Sequence, residues 1–286
     1  MKNILFYGNC QSGSLISFMQ YYLKKYNTKS ILCWNGIIEK DYFISEIQKA
    51  DIIITQPINP NYRETDYLHT EFILNNCRKT TKVIIFPSLH FDFYYVDLVY
   101  KFLNNNILHE PSDYHYNNLV KCYKNNLDQQ YFIDNYVNNP DYKTIEELEN
   151  IANNSLQELS NREILIEKYN NIYPITIIKA SEFIRENYKK QLLFYSMNHP
   201  TKYLMQYICK QILQELDEDH TFIDLNTDPL YSNERGILYK CIQKVVEFNI
   251  DNYSPQLHKF NANTINDIVK VYYDTYNRID ITNMQY

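Results

Sequence analysis

The segment Gly8-Asn9-Cys10-Gln11-Ser12-Gly13 places a thiol between two glycines, directly after the apolar run Asn3 to Tyr7 and before residues at helical spacing. A cysteine delivered by a strand onto the start of a helix meets unpartnered backbone N–H groups and the positive end of the helix dipole, and both favour a thiolate. The same N–H groups can stabilise an oxyanion forming on a substrate carbonyl. One turn can thus hold a nucleophile and form part of an oxyanion hole. The competing reading is a buried structural cysteine at a tight strand–helix turn. Two of the chain's four glycines bracket this turn, and that favours the functional reading.

A cysteine nucleophile needs a base, and the chain has seven histidines. His199 lies in Tyr195-Ser196-Met197-Asn198-His199-Pro200-Thr201, after the apolar run Leu192 to Tyr195 and before a predicted helix whose first position suits Pro200. An imidazole on such an end loop is placed as a general base; the alternative is a surface histidine near a helix start. His69, His109, His115, His220 and His258 read as surface or locally satisfied. His90, in Pro87-Ser88-Leu89-His90-Phe91-Asp92, falls after the fourth strand, but a His-x-Asp pair without a third ligand is a weak metal signal, and no metal is expected. Two further residues offer oxyanion donors: Gly36, through its backbone N–H after the second strand, and Gln56, through its amide after the third. A turn glycine and a capping amide are the plainer readings of these two.

The elements that must position these groups follow from periodicity. Short β-branched runs at Ile4 to Tyr7, Ser30 to Trp34, Ile52 to Thr55 and Val83 to Phe86 predict strands. Between them, Leu15, Ile16, Met19, Tyr22, Leu23 and Tyr26 predict a first helix, with further helices at Tyr42 to Lys49 and Thr65 to Asn76. Such alternation implies an α/β fold: a doubly wound parallel sheet with its functional loops at the carboxyl ends of the strands. The stretch from Asn104 to about Asn154 is Asn-rich, broken by Pro111 and Pro140, and reads as an irregular insert with short helices. Helical patterns follow at Glu146 to Asn170, Ile175 to Lys190, Lys202 to Leu216, Glu234 to Phe248 and Thr264 to Tyr276. In the third of these, the stripe Leu204, Ile208, Ile212 and Leu216 reads as core. The expected organisation is one domain over 1–286: a sheet core over 1–103, the insert over 104–154, and a mainly helical part over 155–286 that completes the site.

A net charge of −6 without a Lys/Arg run argues against a dedicated nucleic-acid binder, because phosphate contacts supply most of that affinity. The six cysteines show no zinc or disulfide spacing and read as reduced thiols in the cytoplasm. The N-terminal apolar run is too short for a signal-peptide core, and no stretch approaches 18 apolar residues, so no membrane span is expected. The 29 tyrosines, with abundant Asn, Ile and Lys, follow AT-rich coding; scattered Tyr and Asn are therefore not taken as a binding surface.

Gly8-Asn9-Cys10-Gln11 after the first strand, Gln56-Pro57 after the third, Pro87-Ser88 after the fourth and Asn198-His199-Pro200 before a late helix resemble the WcbI family of polysaccharide-biosynthesis proteins over roughly the whole chain. The resemblance implies an α/β fold of the SGNH-hydrolase or flavodoxin-like kind, coenzyme A binding, and acetyltransferase activity in surface-polysaccharide synthesis. It puts Cys10 where SGNH hydrolases place their serine, Gly36 near their second-block glycine and Gln56 near their third-block asparagine. Asn9, Gln11, Ser88 and Asn198 are then expected around the oxyanion and substrate, and Ser12, Gly13 and Lys202 at the coenzyme. Ser196 departs from the SGNH pattern, which has Asp three residues before the histidine. A serine cannot stabilise an imidazolium as a carboxylate does, so another acid orients His199 or the pair acts as a dyad.

On this footing the expected reaction is acetyl transfer from acetyl-CoA to an amino or hydroxyl group of a sugar or nucleotide-sugar. Either Cys10 carries the acetyl group, or His199 deprotonates the acceptor for direct attack while Cys10 and Asn9 line the oxyanion site. With water as acceptor the same geometry gives a carbohydrate esterase or deacetylase. A nucleotide-sugar-binding module is the third reading, against which stand the lack of GxGxxG spacing and of a P-loop lysine. Lys189, Lys190, Lys202 and Arg235 are candidate cations for coenzyme A phosphates, each also readable as a solvated surface charge.

Overall fold

The computed structural model describes residues 1–219, 228–231 and 234–285; His220 lies outside them. Their contacts divide the chain into two compact units, each drawn from three segments: Met1–Leu89, Gln157–Arg185 and Lys202–Pro229 form the first, and His90–Leu156, Glu186–Thr201 and Leu230–Tyr286 the second. The sequence boundaries at 103 and 154 do not coincide with these units.

The first unit is built on three apolar runs. β1 (Lys2–Gly8), β3 (Ile52–Thr55) and β4 (Lys82–Ile85) are buried through nearly all their length, which is why they read as continuous hydrophobic stretches. β2 (Tyr26–Leu32) lies at one edge and exposes Asn27 to Ser30. The strand Ile175–Ile177 pairs with β4 at the other edge. The order is β2-β1-β3-β4 and then Ile175–Ile177, all parallel. Counted along these five strands this is 2-1-3-4-5, in which the winding reverses between β1 and β3. Open α/β sheets bind ligands outside the carboxyl ends of the strands at that point.

Alternate residues face opposite sides. Leu5, Tyr7, Ile53, Val83 and Ile85 pack with Phe43 and Ile47 of α2 (Lys40–Lys49) and with Ile73 and Leu74 of α3 (Thr70–Asn76). On the other face α1 (Cys10–Met19) packs on β1 and β2 and against the helix Lys202–Glu215, where Leu204, Ile208 and Ile212 are fully buried as the stripe implied. A side chain buried in this way contributes roughly 1.5–3 kcal/mol.

The second unit is assembled from two-stranded antiparallel pairs and short helices around an aromatic core. Leu98–Tyr100 pairs with Tyr114–Tyr116, Phe194–Ser196 with His199–Pro200, and Glu234–Arg235 with Gln256–Leu257. Phe91, Phe93, Tyr94, Tyr188 and Phe194 stack with ring centroids 5.0 to 5.8 Å apart. Its buried tyrosines stay satisfied: Tyr94 donates to the Tyr188 carbonyl at 2.7 Å, Tyr272 to that of Tyr114 at 2.6 Å, and Tyr239 to Asp97 Oδ2 at 2.8 Å.

Several sequence expectations are corrected. The first helix ends at Met19, and Tyr26 opens β2 rather than continuing the apolar stripe. Thr65 to Asn76 is helical only from Thr70, where His69 caps it. Ile175 to Lys190 is not one helix but the fifth strand followed by the helix Ser181–Asn187. Glu234 to Phe248 is a two-residue strand and a 3-10 turn, Lys240–Lys244. The long helix begins at Ile145, so the irregular insert is shorter than expected, and Pro200 sits in a β-hairpin rather than at a helix start.

Candidate functional site

β1 ends at Gly8 and α1 starts at Cys10, with Asn9 between them as the helix cap. Asn9 Oδ1 accepts from the Gln11 N–H at 2.9 Å, and Asn9 Nδ2 donates to Ser88 Oγ at 3.3 Å. The Asn9 N–H donates to Gln56 Oε1 at 2.9 Å, while Gln56 Nε2 donates to Gln11 Oε1 at 3.0 Å. Gln11 completes the set by donating to the Leu89 carbonyl at 2.8 Å and accepting from the Leu89 N–H at 2.9 Å. The structure therefore brings Asn9, Gln11, Gln56 and Ser88 together around the turn that carries Cys10.

Their roles differ from expectation in one respect. Gln56 is 2% exposed and both ends of its amide are engaged in the turn, so it is a scaffold rather than a free oxyanion donor. Gly8 is glycine for a steric reason: a Cβ there would lie 2.5 Å from Gln56 Oε1 and 3.0 Å from Ser12 Cβ. Gly13 likewise lets α1 approach Leu32, whose Cδ2 would meet a Cβ at 3.3 Å. Ser12 is fully buried and its Oγ has no partner among the described residues. Gly36 adopts φ +65° in an exposed turn, with its carbonyl held by Arg63 Nη1 at 2.6 Å, so the turn conformation accounts for it.

Cys10 is half-buried, and like the other five cysteines it forms no disulfide. Burial pushes its thiol above the usual value of 9.0, while the backbone N–H groups of Gln11 and of Cys10 itself pull it down. The helix start thus acts in the expected direction, but desolvation outweighs it and the resting group is the thiol.

His199 belongs to the second unit. Its Nδ1 is buried without a hydrogen-bond partner among the described residues, and its ring meets Tyr114 edge-on at 5.8 Å. Burial lowers it to about 4, against the Glu234 backbone and the Asp113 carboxylate, which favour a proton. The imidazole is neutral at pH 7, with Nδ1 closed off from solvent. Asn198 is fully engaged: Oδ1 accepts from Tyr114 at 2.6 Å and Nδ2 donates to Tyr100 at 2.9 Å, which braces the hairpin that presents His199.

Residues that the sequence did not single out surround this histidine. Ser112, Asp113, Tyr114 and Glu234 line the same cavity of about 350 Å³. Glu234 accepts a hydrogen bond from Ser112 Oγ, and burial raises its carboxyl to about 8. No local motif marks these residues, because they come from segments more than 30 residues away from His199.

The candidate coenzyme cations fare differently. Arg235 is buried, donates to the Ser254 and Tyr231 carbonyls at 2.8 and 2.9 Å and stacks on Tyr231; Lys189 pairs with Glu149 at 2.9 Å. These contacts occupy both side chains, Arg235 within the protein and Lys189 at the surface. Lys202 opens its helix, its backbone N–H donating to Asp228 Oδ2 at 2.7 Å. His90 pairs with Asp92 at 2.7 Å, and no group of three potential metal ligands converges among the described residues.

The strand order defines the class: an α/β protein with a parallel sheet whose switch point carries Cys10 on its carboxyl rim. Residues 3–220 match the family described as polysaccharide biosynthesis enzyme WcbI, and the chain belongs to that family. A solved structure of WcbI, described as a polysaccharide biosynthesis enzyme in a native form without a disulfide bond between coenzyme A and one of its cysteines, superposes with a TM-score of 0.80. That likeness is at 20% identity over 97% of this chain and 90% of that one, and it shows a shared fold. No curated protein matches the sequence. Among the described residues no helix is long and apolar enough to cross a membrane.

Proposed function

We propose that this polysaccharide biosynthesis enzyme is an acetyltransferase that moves an acetyl group from acetyl-CoA to a hydroxyl or amino group of a sugar or nucleotide-sugar. The observation that carries the reading is the Cys10 turn: a thiol at the switch point, with the N–H groups of Gln11 and Cys10 aimed at its sulfur and the turn fixed by Asn9, Gln56 and Gln11. The coenzyme named with the solved relative WcbI, in connection with one of that protein's cysteines, supports a thioester as donor.

In the covalent route the Cys10 sulfur attacks the acetyl carbonyl, the bond to the coenzyme sulfur breaks, and the Cys10 proton leaves with coenzyme A. Exchange of one thioester for another is nearly isoenergetic, so the enzyme need only lower the barrier. The acceptor then attacks the acetyl-enzyme, its proton going to a general base and from there to the departing Cys10 sulfur. A cytoplasmic location goes with this reading, supported by the six unpaired thiols.

Intact-protein mass spectrometry after brief incubation with acetyl-CoA tests it, with wild type beside Cys10→Ala and coenzyme A release followed in parallel. The expected result is a gain of one acetyl group that is absent from the variant. Coenzyme binding without an adduct would exclude the covalent route and leave direct transfer. The absence of both binding and adduct would overturn acetyl transfer.

A further inference from the structure

A second cavity, of about 440 Å³, opens beyond the carboxyl ends of β3 and β4, and every residue that lines it belongs to the first unit. Its volume falls within the range of small-molecule sites. The loop 57–60 after β3 forms part of the wall and is held in place by Thr70, whose Oγ1 accepts from the Ile58 N–H at 2.8 Å and whose N–H donates to the Ile58 carbonyl at 3.1 Å. The helix Ile145–Glu167 contributes Arg162 and Leu165, and the turn Lys168–Asn171 contributes Lys168 and the Tyr169 ring. Arg162 and Lys168 are the only charged residues among the described lining, in a chain of net charge −6. Arg162 Nη2 donates to Glu158 one turn back on the helix, and its other guanidinium N–H groups remain as donors. The Lys168 ammonium lies 4.9 Å over the Tyr169 ring, with no carboxylate paired to it among the described residues. Ser88, after β4, also lines the cavity; its Oγ accepts from Asn9 Nδ2 at 3.3 Å and donates to no described residue. Two cations with no acid beside them suit a phosphate, while an available hydroxyl and the faces of Tyr169 and Leu165 suit a sugar ring.

We propose that this cavity binds a phosphorylated monosaccharide, its phosphate across Arg162 and Lys168 and a ring hydroxyl on Ser88. Ser88 is hydrogen-bonded to Asn9, the residue before Cys10, so the sugar end lies toward the nucleophile turn within a single unit. Use of this sugar as the acetyl acceptor rests on the acetyltransferase reading; its binding does not. A phosphate of coenzyme A offers the two cations the same chemistry, and competition between the two ligands separates the sources.

Isothermal titration calorimetry on the full chain with glucose 1-phosphate, N-acetylglucosamine 1-phosphate, inorganic phosphate and glucose tests the assignment. At least one sugar phosphate should bind about ten-fold or more tightly than inorganic phosphate or glucose. Arg162→Gln and Lys168→Gln should each weaken it about five-fold or more, whereas Ser88→Ala should weaken the sugar phosphate and leave inorganic phosphate unchanged. Lys168 is exposed and the Arg162 side chain 39% accessible, so both charge variants should fold. Failure of both sugar phosphates to bind, or binding indifferent to the two charge variants, would overturn the site. Sugar phosphate and coenzyme A bound together would support it, while displacement of the sugar phosphate by coenzyme A would give the cations to the coenzyme and overturn it. An acetyl adduct on Cys10 without sugar-phosphate binding would sink this site alone; sugar-phosphate binding without coenzyme chemistry would sink the acetyltransferase reading alone.

Discussion

Asn9 and Gln56 are joined through the backbone N–H of the first and the side-chain oxygen of the second, at 2.9 Å, across the two strands between which the sheet reverses its winding. The bond ties the ends of β1 and β3 together and so fixes the turn that carries Cys10. Gln56→Ala leaves the Asn9 N–H and the Gln11 side chain short of partners, and should cost about 1–3 kcal/mol in denaturant unfolding. Unchanged stability would show that the bond does not hold the turn.

Gly8→Ala drives a methyl group against Gln56 Oε1 and should destabilise by about 1–3 kcal/mol. Because the clash is with the Gln56 side chain, its cost should be smaller in a Gln56→Ala background, where only Ser12 Cβ at 3.0 Å still crowds it. A double-mutant cycle measures the coupling, and strict additivity would contradict the geometry.

Cys10 should behave as a thiol at neutral pH. Since burial raises it above 9.0, alkylation by iodoacetamide at this site should be slow at pH 7 and rise with pH through 9, as thiolate forms. A rate already level below pH 7 would mean that the helix start outweighs desolvation after all.

Glu234 makes stability fall with rising pH. Its carboxyl titrates near 8 in the folded chain and near its ordinary 4.5 unfolded, so between these values the folded state holds more protons and each step up in pH favours unfolding. His199 acts oppositely and lower down: titrating near 4 rather than 6.5, it makes stability rise with pH across that window. Chemical denaturation from pH 6.5 to 8, above the His199 window, should therefore show a decline that levels off beyond pH 8 and that Glu234→Gln flattens.

The fragment 1–103 should not fold alone. It lacks Ile175–Ile177, which covers the β4 edge, and the helix Lys202–Glu215, which packs against α1. Dispersed amide NMR signals from that fragment would refute this.

The central strands and the nucleophile turn were legible in the sequence for a physical reason. β1, β3 and β4 are buried on both faces and read as unbroken apolar runs, while the glycines around Cys10 mark a turn where a Cβ would collide. β2 was misplaced because an edge strand needs no apolar run: Asn27 to Ser30 face outward. Ile175–Ile177 was absorbed into a helix because three residues are too few to carry a period, and only pairing with β4 makes them a strand. Ile237, Leu238, Cys241, Ile242 and Val246 are buried and fall near helical spacing, yet the chain there is a short strand and a 3-10 turn held by partners distant in sequence.

By itself, then, the sequence determined a parallel α/β sheet, a family, and a cysteine on a strand–helix turn, because burial patterning and steric exclusion are local. The tertiary structure alone decided that Gln56 braces the turn, that desolvation keeps Cys10 a thiol, and that Glu234, Ser112 and Asp113 share a cavity with His199. Charge state and hydrogen bonding depend on what chain folding brings alongside, and no spacing along the chain records that.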